Sequence, residues 1–120
     1  MNAETDLQNR IRVALSASGI CIRMNSGIFK TETGATIKQG IVGMPDLLWV
    51  GPDGKTAWIE VKTERGRVAE NQQRFIERLQ SMGHTAGIAR SVPEAMQIIG
   101  KGEIRCQKSK QAGERVEDGG

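Results

Sequence analysis

The residues best placed to do chemistry lie in Ala57-Trp58-Ile59-Glu60-Val61-Lys62. In an extended strand alternate side chains face opposite sides. Ala57, Ile59 and Val61 then suit a core, while Glu60 and Lys62 share the other face, about 7 Å apart at their Cα atoms. Asp46 opens the preceding apolar run, Leu47-Leu48-Trp49-Val50, after a glycine-rich approach. A hairpin joining the two runs would bring its carboxylate beside Glu60. Two converging carboxylates hold a hard divalent cation such as Mg²⁺, which lowers the pKa of bound water and stabilises charge on a phosphate. The Lys62 ammonium would orient or activate that water, or neutralise the developing charge. A plainer reading stands beside this one: Glu60 and Lys62 as a solvated strand face, with Asp46 marking a turn.

Two polar residues interrupt apolar stripes. Gln72 lies four residues after Val68 and three and four before Phe75 and Ile76, on the inward side of an amphipathic segment. A buried amide is unfavourable unless something pairs with it, although a residue at the edge of the stripe would reach solvent. Glu4 precedes Leu7 and Ile11 by three and seven residues, so it lies inward on the first helix. It also suits a first-turn acid favoured by the helix dipole. Arg23 and Asn25 alternate with Ile22 and Met24 and could face the same side as Glu60, where a guanidinium fork would bind phosphate. Lys30, Lys38, Arg65 and Arg67 flank the site and could track a DNA backbone. His84, the only histidine, falls in a turn, and no glycine cluster ends in the Gly-Lys-Ser/Thr of a phosphate loop.

The elements that must position these residues follow from periodicity. Leu7, Ile11, Ala14 and Leu15 predict a helix over 3–17, stopped by Gly19. Ile20 to Met24 reads as a strand with Ile20, Ile22 and Met24 on one face. Residues 25–44 lack clear periodicity and could hide a hairpin at Thr33-Gly34. Pro45 to Val50 and Thr56 to Lys62 read as strands joined by the Gly51-Pro52-Asp53-Gly54 turn. A helix over 68–82 carries Val68, Phe75, Ile76, Leu79 and Met82 and ends at Gly83. Thr85 to Arg90 is a further strand, and Ser91-Val92-Pro93-Glu94 has capping-box spacing before a last helix that runs to Gly100. The order is that of an α/β sandwich, a small mixed β-sheet flanked by helices.

Bulk properties bound the function. A chain of 120 residues makes one domain. It divides into a domain over 1–100 and a charged, glycine-rich tail over 101–120. With 38% hydrophobic and 26% charged residues the balance is that of a globular protein. Aromatics at 3% exclude a base-stacking platform. A net charge of +3 fits a polyanionic partner without demanding one. Cys21 and Cys106 match no metal-ligand spacing, and no disulfide framework, apolar leader or membrane-length run is present. A cytoplasmic protein with no membrane partner is expected.

Gly43-Met44-Pro45-Asp46-Leu47-Leu48, Ile59-Glu60-Val61-Lys62, the segment Gly66 to Phe75 containing Gln72, and Gly83 together resemble the VRR-Nuc family, virus-type replication-repair nucleases of the PD-(D/E)xK superfamily. Arg23-Met24-Asn25-Ser26-Gly27 is similar to the segment preceding the long loop in stand-alone members. The resemblance covers about Glu4 to Ile99. It implies a restriction-endonuclease-like fold and a metal-dependent nuclease using Mg²⁺ or Mn²⁺. It further implies that Asp46, Glu60 and the Val61 carbonyl bind the metal, that Lys62 serves the attacking water, and that Gln72 belongs to the active site. Glu4 is the candidate for the helix-borne acid of the superfamily. The chain looks like the minimal type of phages and prophages, acting inside a bacterial host cell.

Such a small domain grips DNA poorly alone, and paired incisions need two sites, so a homodimer preferring branched DNA such as four-way junctions is expected. The 25–44 loop with Lys30 and Lys38 would contact the branch. The alternatives are a catalytically silent DNA-binding module of the same fold and a structural, partner-binding domain.

Overall fold

The computed structural model describes residues 2–24 and 27–100. Asn25, the 101–120 tail and the Lys38 side chain lie outside the described residues.

Helix α1 (Ala3–Leu15) starts where the Asn2 side chain accepts the Thr5 N–H at 2.8 Å. Its Leu7, Ile11 and Leu15 are buried as the periodicity requires. Strand β1 (Ile20–Arg23) follows, then a hairpin of β2 (Gly27–Lys30) and β3 (Thr36–Gln39). The hairpin turns at Thr33-Gly34, with Gly34 at φ +88°, and forms a two-stranded sheet of its own. Strands β4 (Leu47–Val50) and β5 (Thr56–Val61) pair antiparallel across the 51–54 turn. There Asp53 and Gly54 adopt left-handed φ of 59° and 75°. Helix α2 (Glu70–Ser81), β6 (Thr85–Ala89) and a helix α3 over 92–100 complete the described chain.

The main sheet has order β1-β4-β5-β6, with β6 parallel to β5 and the other pairs antiparallel. It is therefore mixed. One face carries Leu47, Trp49, Ala57, Ile59, Val61 and Ala89 against α1 and α3, the larger core. Trp49 ties the layers by donating Nε1–H to the Leu15 carbonyl at 3.1 Å. The other face packs Trp58 and Ala86 under Ile76 and Leu79 of α2.

One strand face is left open, and one helix boundary is corrected. Ile20 and Ile22 do share a face, but they are 63% and 42% exposed, because α2 lies over β6 and leaves the β1 side of the sheet open. Helix α2 begins at Glu70, two residues later than the stripe suggested, because Ala69 is extended and its N–H is taken by the Gln72 side chain. Val68 thus precedes the helix, and Met82, its C-cap, is exposed.

Candidate active site

The site lies where the start of β4, the end of β5 and the first turn of α2 meet. Gly43 makes this approach possible. It adopts φ +87°, and a Cβ there would stand 2.5 Å from the Asn71 carbonyl oxygen. Only glycine allows the chain to lie so close to α2 in this conformation. Met44 and the buried Pro45 then deliver Asp46 to the head of β4.

Asp46 is held from two sides. Its Oδ2 accepts the Val61 N–H at 2.9 Å, and its carbonyl accepts the Met24 N–H at 2.8 Å. Strand alternation turns Glu60 away from the larger core, yet it is only 2% exposed. Its Oε2 accepts a 2.9 Å hydrogen bond from Gln72 Nε2 and lies 3.7 Å from Lys62 Nζ. Gln72 uses its other end as well, its Oε1 accepting the Ala69 N–H at 2.9 Å. The amide therefore joins the start of α2 to the acid on β5.

Burial dominates the electrostatics. It raises the Asp46 carboxyl above its ordinary pKa, against the lowering influence of the Val61 N–H. It pushes Glu60 up to about 8, and the nearby Asp46 charge adds to the rise while Lys62 opposes it. Two like charges held in a poorly solvated site cannot both ionise cheaply, so the pair titrates as a unit. Glu60 Oε1 is buried without a hydrogen-bond partner. An orphaned carboxylate oxygen next to a second carboxyl calls for a proton or a cation.

The donor set fits a hard divalent cation: the Asp46 and Glu60 carboxylates, with the Val61 carbonyl at the end of the same strand. Glu4, half-buried in the first turn of α1, is close enough to raise both carboxyls. Among the described residues, however, no three of His, Cys, Asp and Glu converge as a metal cluster. Glu4 bears on the site through its charge, which raises both carboxyls.

The other sequence candidates divide. Arg65 and Arg67 are exposed on the connection that leaves Lys62, and Lys30 is exposed on the separate hairpin. Arg23 does not share the face of Glu60. Its register partner is Leu47, which pairs in turn with Ile59, so it belongs to the α1 face, and it is exposed there at the edge of the sheet. The expectation failed because β1 is one residue out of phase with the assumed facing.

The motifs flag neither Gln8 nor Arg90. Gln8 is 7% exposed with its Oε1 unpartnered. It lies four residues after Glu4 on the apolar stripe, the same signal that marks Gln72.

The model of the VRR-NUC domain matches residues 5–93. The chain belongs to the VRR-NUC family. The match takes in Asp46, Glu60, Lys62 and Gln72 and begins just after Glu4. A solved structure described as a VRR_NUC domain is similar with a TM-score of 0.63 and 24% identity, covering 83% of this chain and 97% of that one. At that identity the likeness speaks for the fold, and the α/β architecture agrees. No curated protein matches the chain. Membership in the VRR-NUC family makes this a nuclease domain with DNA as its substrate.

Proposed function

We propose that this VRR-NUC domain is a divalent-metal-dependent endonuclease that hydrolyses DNA phosphodiester bonds and prefers branched DNA. The observation that carries the metal dependence is the buried, unpartnered Glu60 Oε1 beside Asp46. When bound, Mg²⁺ or Mn²⁺ would supply a more acidic water and charge neutralisation at the scissile phosphate. The Asp46 and Glu60 carboxylates would hold it, with the Val61 carbonyl.

The chain's own groups do the rest. The Val61 N–H fixes the Asp46 carboxylate, and Gln72 fixes that of Glu60. Lys62, 14% exposed, presents its ammonium at the rim, where it orients the attacking water and meets the charge that builds on phosphate. The water oxygen gives up a proton to solvent and forms a bond to phosphorus, the bond to the leaving sugar oxygen breaks, and that oxygen takes up a proton from solvent. Arg65 and Arg67 on the next connection, and Lys30 on the β2–β3 hairpin, suit contacts to backbone phosphates. Glu4 adjusts the charge balance of the site from α1.

A homodimer would double the basic surface and supply two sites for paired incisions. It is supported by the exposed Ile20 and Ile22 on the open side of the sheet. No helix among the described residues is long and apolar enough to cross a membrane.

The test is cleavage of four-way, flapped, nicked and linear DNA in Mg²⁺, Mn²⁺, Ca²⁺ or EDTA, with light scattering for the assembly. Cutting in Mg²⁺ or Mn²⁺ that EDTA abolishes is expected, with the junction cut fastest. Robust cutting in EDTA defeats the metal reading. A monomer that cuts all four DNAs equally defeats the selectivity and the dimer.

A further inference from the structure

Arg90 directly follows the parallel strand β6 and belongs to none of the motifs above. Its guanidinium is half-buried and pairs with no acid among the described residues. Nη1 donates to three backbone carbonyls of one turn: Thr63 at 2.6 Å, Glu64 at 3.2 Å and Gly66 at 2.8 Å. Three acceptors on a single nitrogen make a clamp around the turn that follows Lys62. Arg90 is itself tethered, because its backbone N–H donates to Glu94 Oε1 at 2.6 Å, while Ser91 Oγ accepts the Glu94 N–H at 3.2 Å. The Ser91–Glu94 pair thus caps α3 and anchors the clamp. The Lys62 N–H donates to the Ala89 carbonyl at 3.1 Å, so Lys62 and Arg90 leave neighbouring strands side by side.

The clamped turn reaches back to the lysine. The Gly66 N–H donates to the Thr63 carbonyl at 3.0 Å, closing the turn. A Cβ on Gly66 would stand 3.2 Å from Thr63 Oγ1 and 3.5 Å from Lys62 Cδ. The turn backbone therefore lies against the aliphatic stem of Lys62. Lys62 has four rotatable bonds, and its ammonium is only 3.7 Å from Glu60. Something must choose the rotamer that keeps it there, and the turn wall is in place to do so.

We propose that Arg90 is a positioning residue for Lys62, acting through the Thr63–Gly66 turn. The catalytic consequence rests on the nuclease reading of Lys62, whereas the mechanical one does not. The same clamp sets the path of the chain into Arg65 and Arg67. The planar guanidinium fixes the direction of the two Nη1 N–H groups, one of them shared between two carbonyls, whereas the N–H groups of a lysine ammonium rotate freely on a flexible stem.

The experiment compares wild type, Arg90→Met, Arg90→Lys and Gly66→Ala, all well below their melting temperatures. In the first arm the metal-free proteins are pulsed with an amine-acylating reagent, and each lysine is quantified by mass spectrometry. Exposed Lys30 serves as the reference, and half-buried Lys55, in the β4–β5 turn, controls for global unfolding. Lys62 should label several-fold faster in Arg90→Met while Lys55 is unchanged. Arg90→Lys should restore part of the protection. Gly66→Ala keeps the clamp and adds a methyl in ordinary contact with the lysine stem, 3.5 Å from Lys62 Cδ, so Lys62 labelling should not rise.

In the second arm, single-turnover cleavage should fall about tenfold or more in Arg90→Met, the scale of loss when a catalytic group is displaced by under an ångström or so. Duplex DNA affinity, read without metal, should change far less than the rate. Unchanged Lys62 labelling in Arg90→Met overturns the proposal whatever the activity. Faster Lys62 labelling with a wild-type cleavage rate overturns its catalytic half. A wild-type protein that cuts no DNA defeats the nuclease reading, and the labelling arm still decides the clamp.

Discussion

Gln72 Nε2 donates a 2.9 Å hydrogen bond to Glu60 Oε2 while Gln72 Oε1 accepts the Ala69 N–H at the same distance. One amide thus starts helix α2 and orients the buried acid of β5. A structural cap and a site contact are combined in a single side chain, so neither can change without the other.

Substitution of Gln72 therefore carries two penalties. On sequence pattern alone, Gln72→Leu would suit the apolar stripe and hold or raise stability. The structure reverses that expectation, because leucine leaves the Ala69 N–H without a partner and removes the hydrogen bond to Glu60 Oε2, which then has only the Lys62 ammonium at 3.7 Å. A loss of about 1–3 kcal/mol is expected from the two lost hydrogen bonds, the buried one counting most. Cleavage should fall as well, and Gln72→Glu should not rescue it, since it adds a third charge beside Glu60. Denaturant melts and initial rates check both. Wild-type rates in Gln72→Leu would return this residue to a purely structural role.

Asp46→Ala, Glu60→Ala and Lys62→Ala should each reduce cleavage by about a hundredfold or more, because each removes a group aimed at charge that develops during reaction. All three should keep the wild-type circular dichroism spectrum. Glu4→Gln should have a smaller effect than any of them, since the Glu4 charge is a lesser influence on both carboxyls than their own burial. Full activity in any purified variant of the first three refutes the assignment of that residue.

The raised carboxyls make stability depend on pH in a definite direction. Folded Glu60 holds its proton up to about pH 8, whereas its ordinary value is 4.5. Between those values unfolding releases a proton, so stability is fully present below about pH 4.5 and is lost as pH rises through 8. The melting temperature of metal-free protein should therefore fall from pH 5 to pH 9. Glu60→Gln should flatten that slope, and Mg²⁺ or Mn²⁺ should raise the melting temperature most at the alkaline end. Loading metal at pH 7 should release protons into a weakly buffered solution. A flat melting profile in wild type would contradict the buried, protonated Glu60.

Gly43→Ala tests how the site is placed. The substitution strains a left-handed backbone and sets a Cβ 2.5 Å from the Asn71 carbonyl oxygen. A destabilisation of about 1–3 kcal/mol is expected from the backbone alone, together with a loss of activity as the approach to Asp46 is pushed away from α2. Gly54→Ala, with φ +75° and nothing within 4 Å, supplies the control. It should lose stability without losing cleavage in the folded fraction.

Much of this protein follows from local rules that the sequence carries by itself. Alternation in Ala57 to Lys62 put Ala57, Ile59 and Val61 in the core and Glu60 and Lys62 on the opposite face, and the structure agrees. Turn chemistry at Gly51 to Gly54 determined the β4–β5 hairpin that places Asp46 near Glu60. The capping spacing Ser91 to Glu94 and the stop at Gly83, φ +92°, were equally local. These features depend on residues a few positions apart, which is why pattern suffices.

What pattern could not decide depends on contacts between distant segments. The facing of Arg23 depended on the register of β1 against β4, since a one-residue shift of phase exchanges the two faces of a strand. The exposure of Ile20 and Ile22 depended on how far α2 extends over the sheet. The pairing of Gln72 with Glu60 joins residues 12 apart across a helix and a strand, and the Arg90 clamp joins residues up to 27 apart. A guanidinium that bonds only backbone carbonyls leaves no mark in the residue types of its partners, because every residue has a carbonyl. Only the tertiary structure, which sets the direction of those carbonyls, made Arg90 visible.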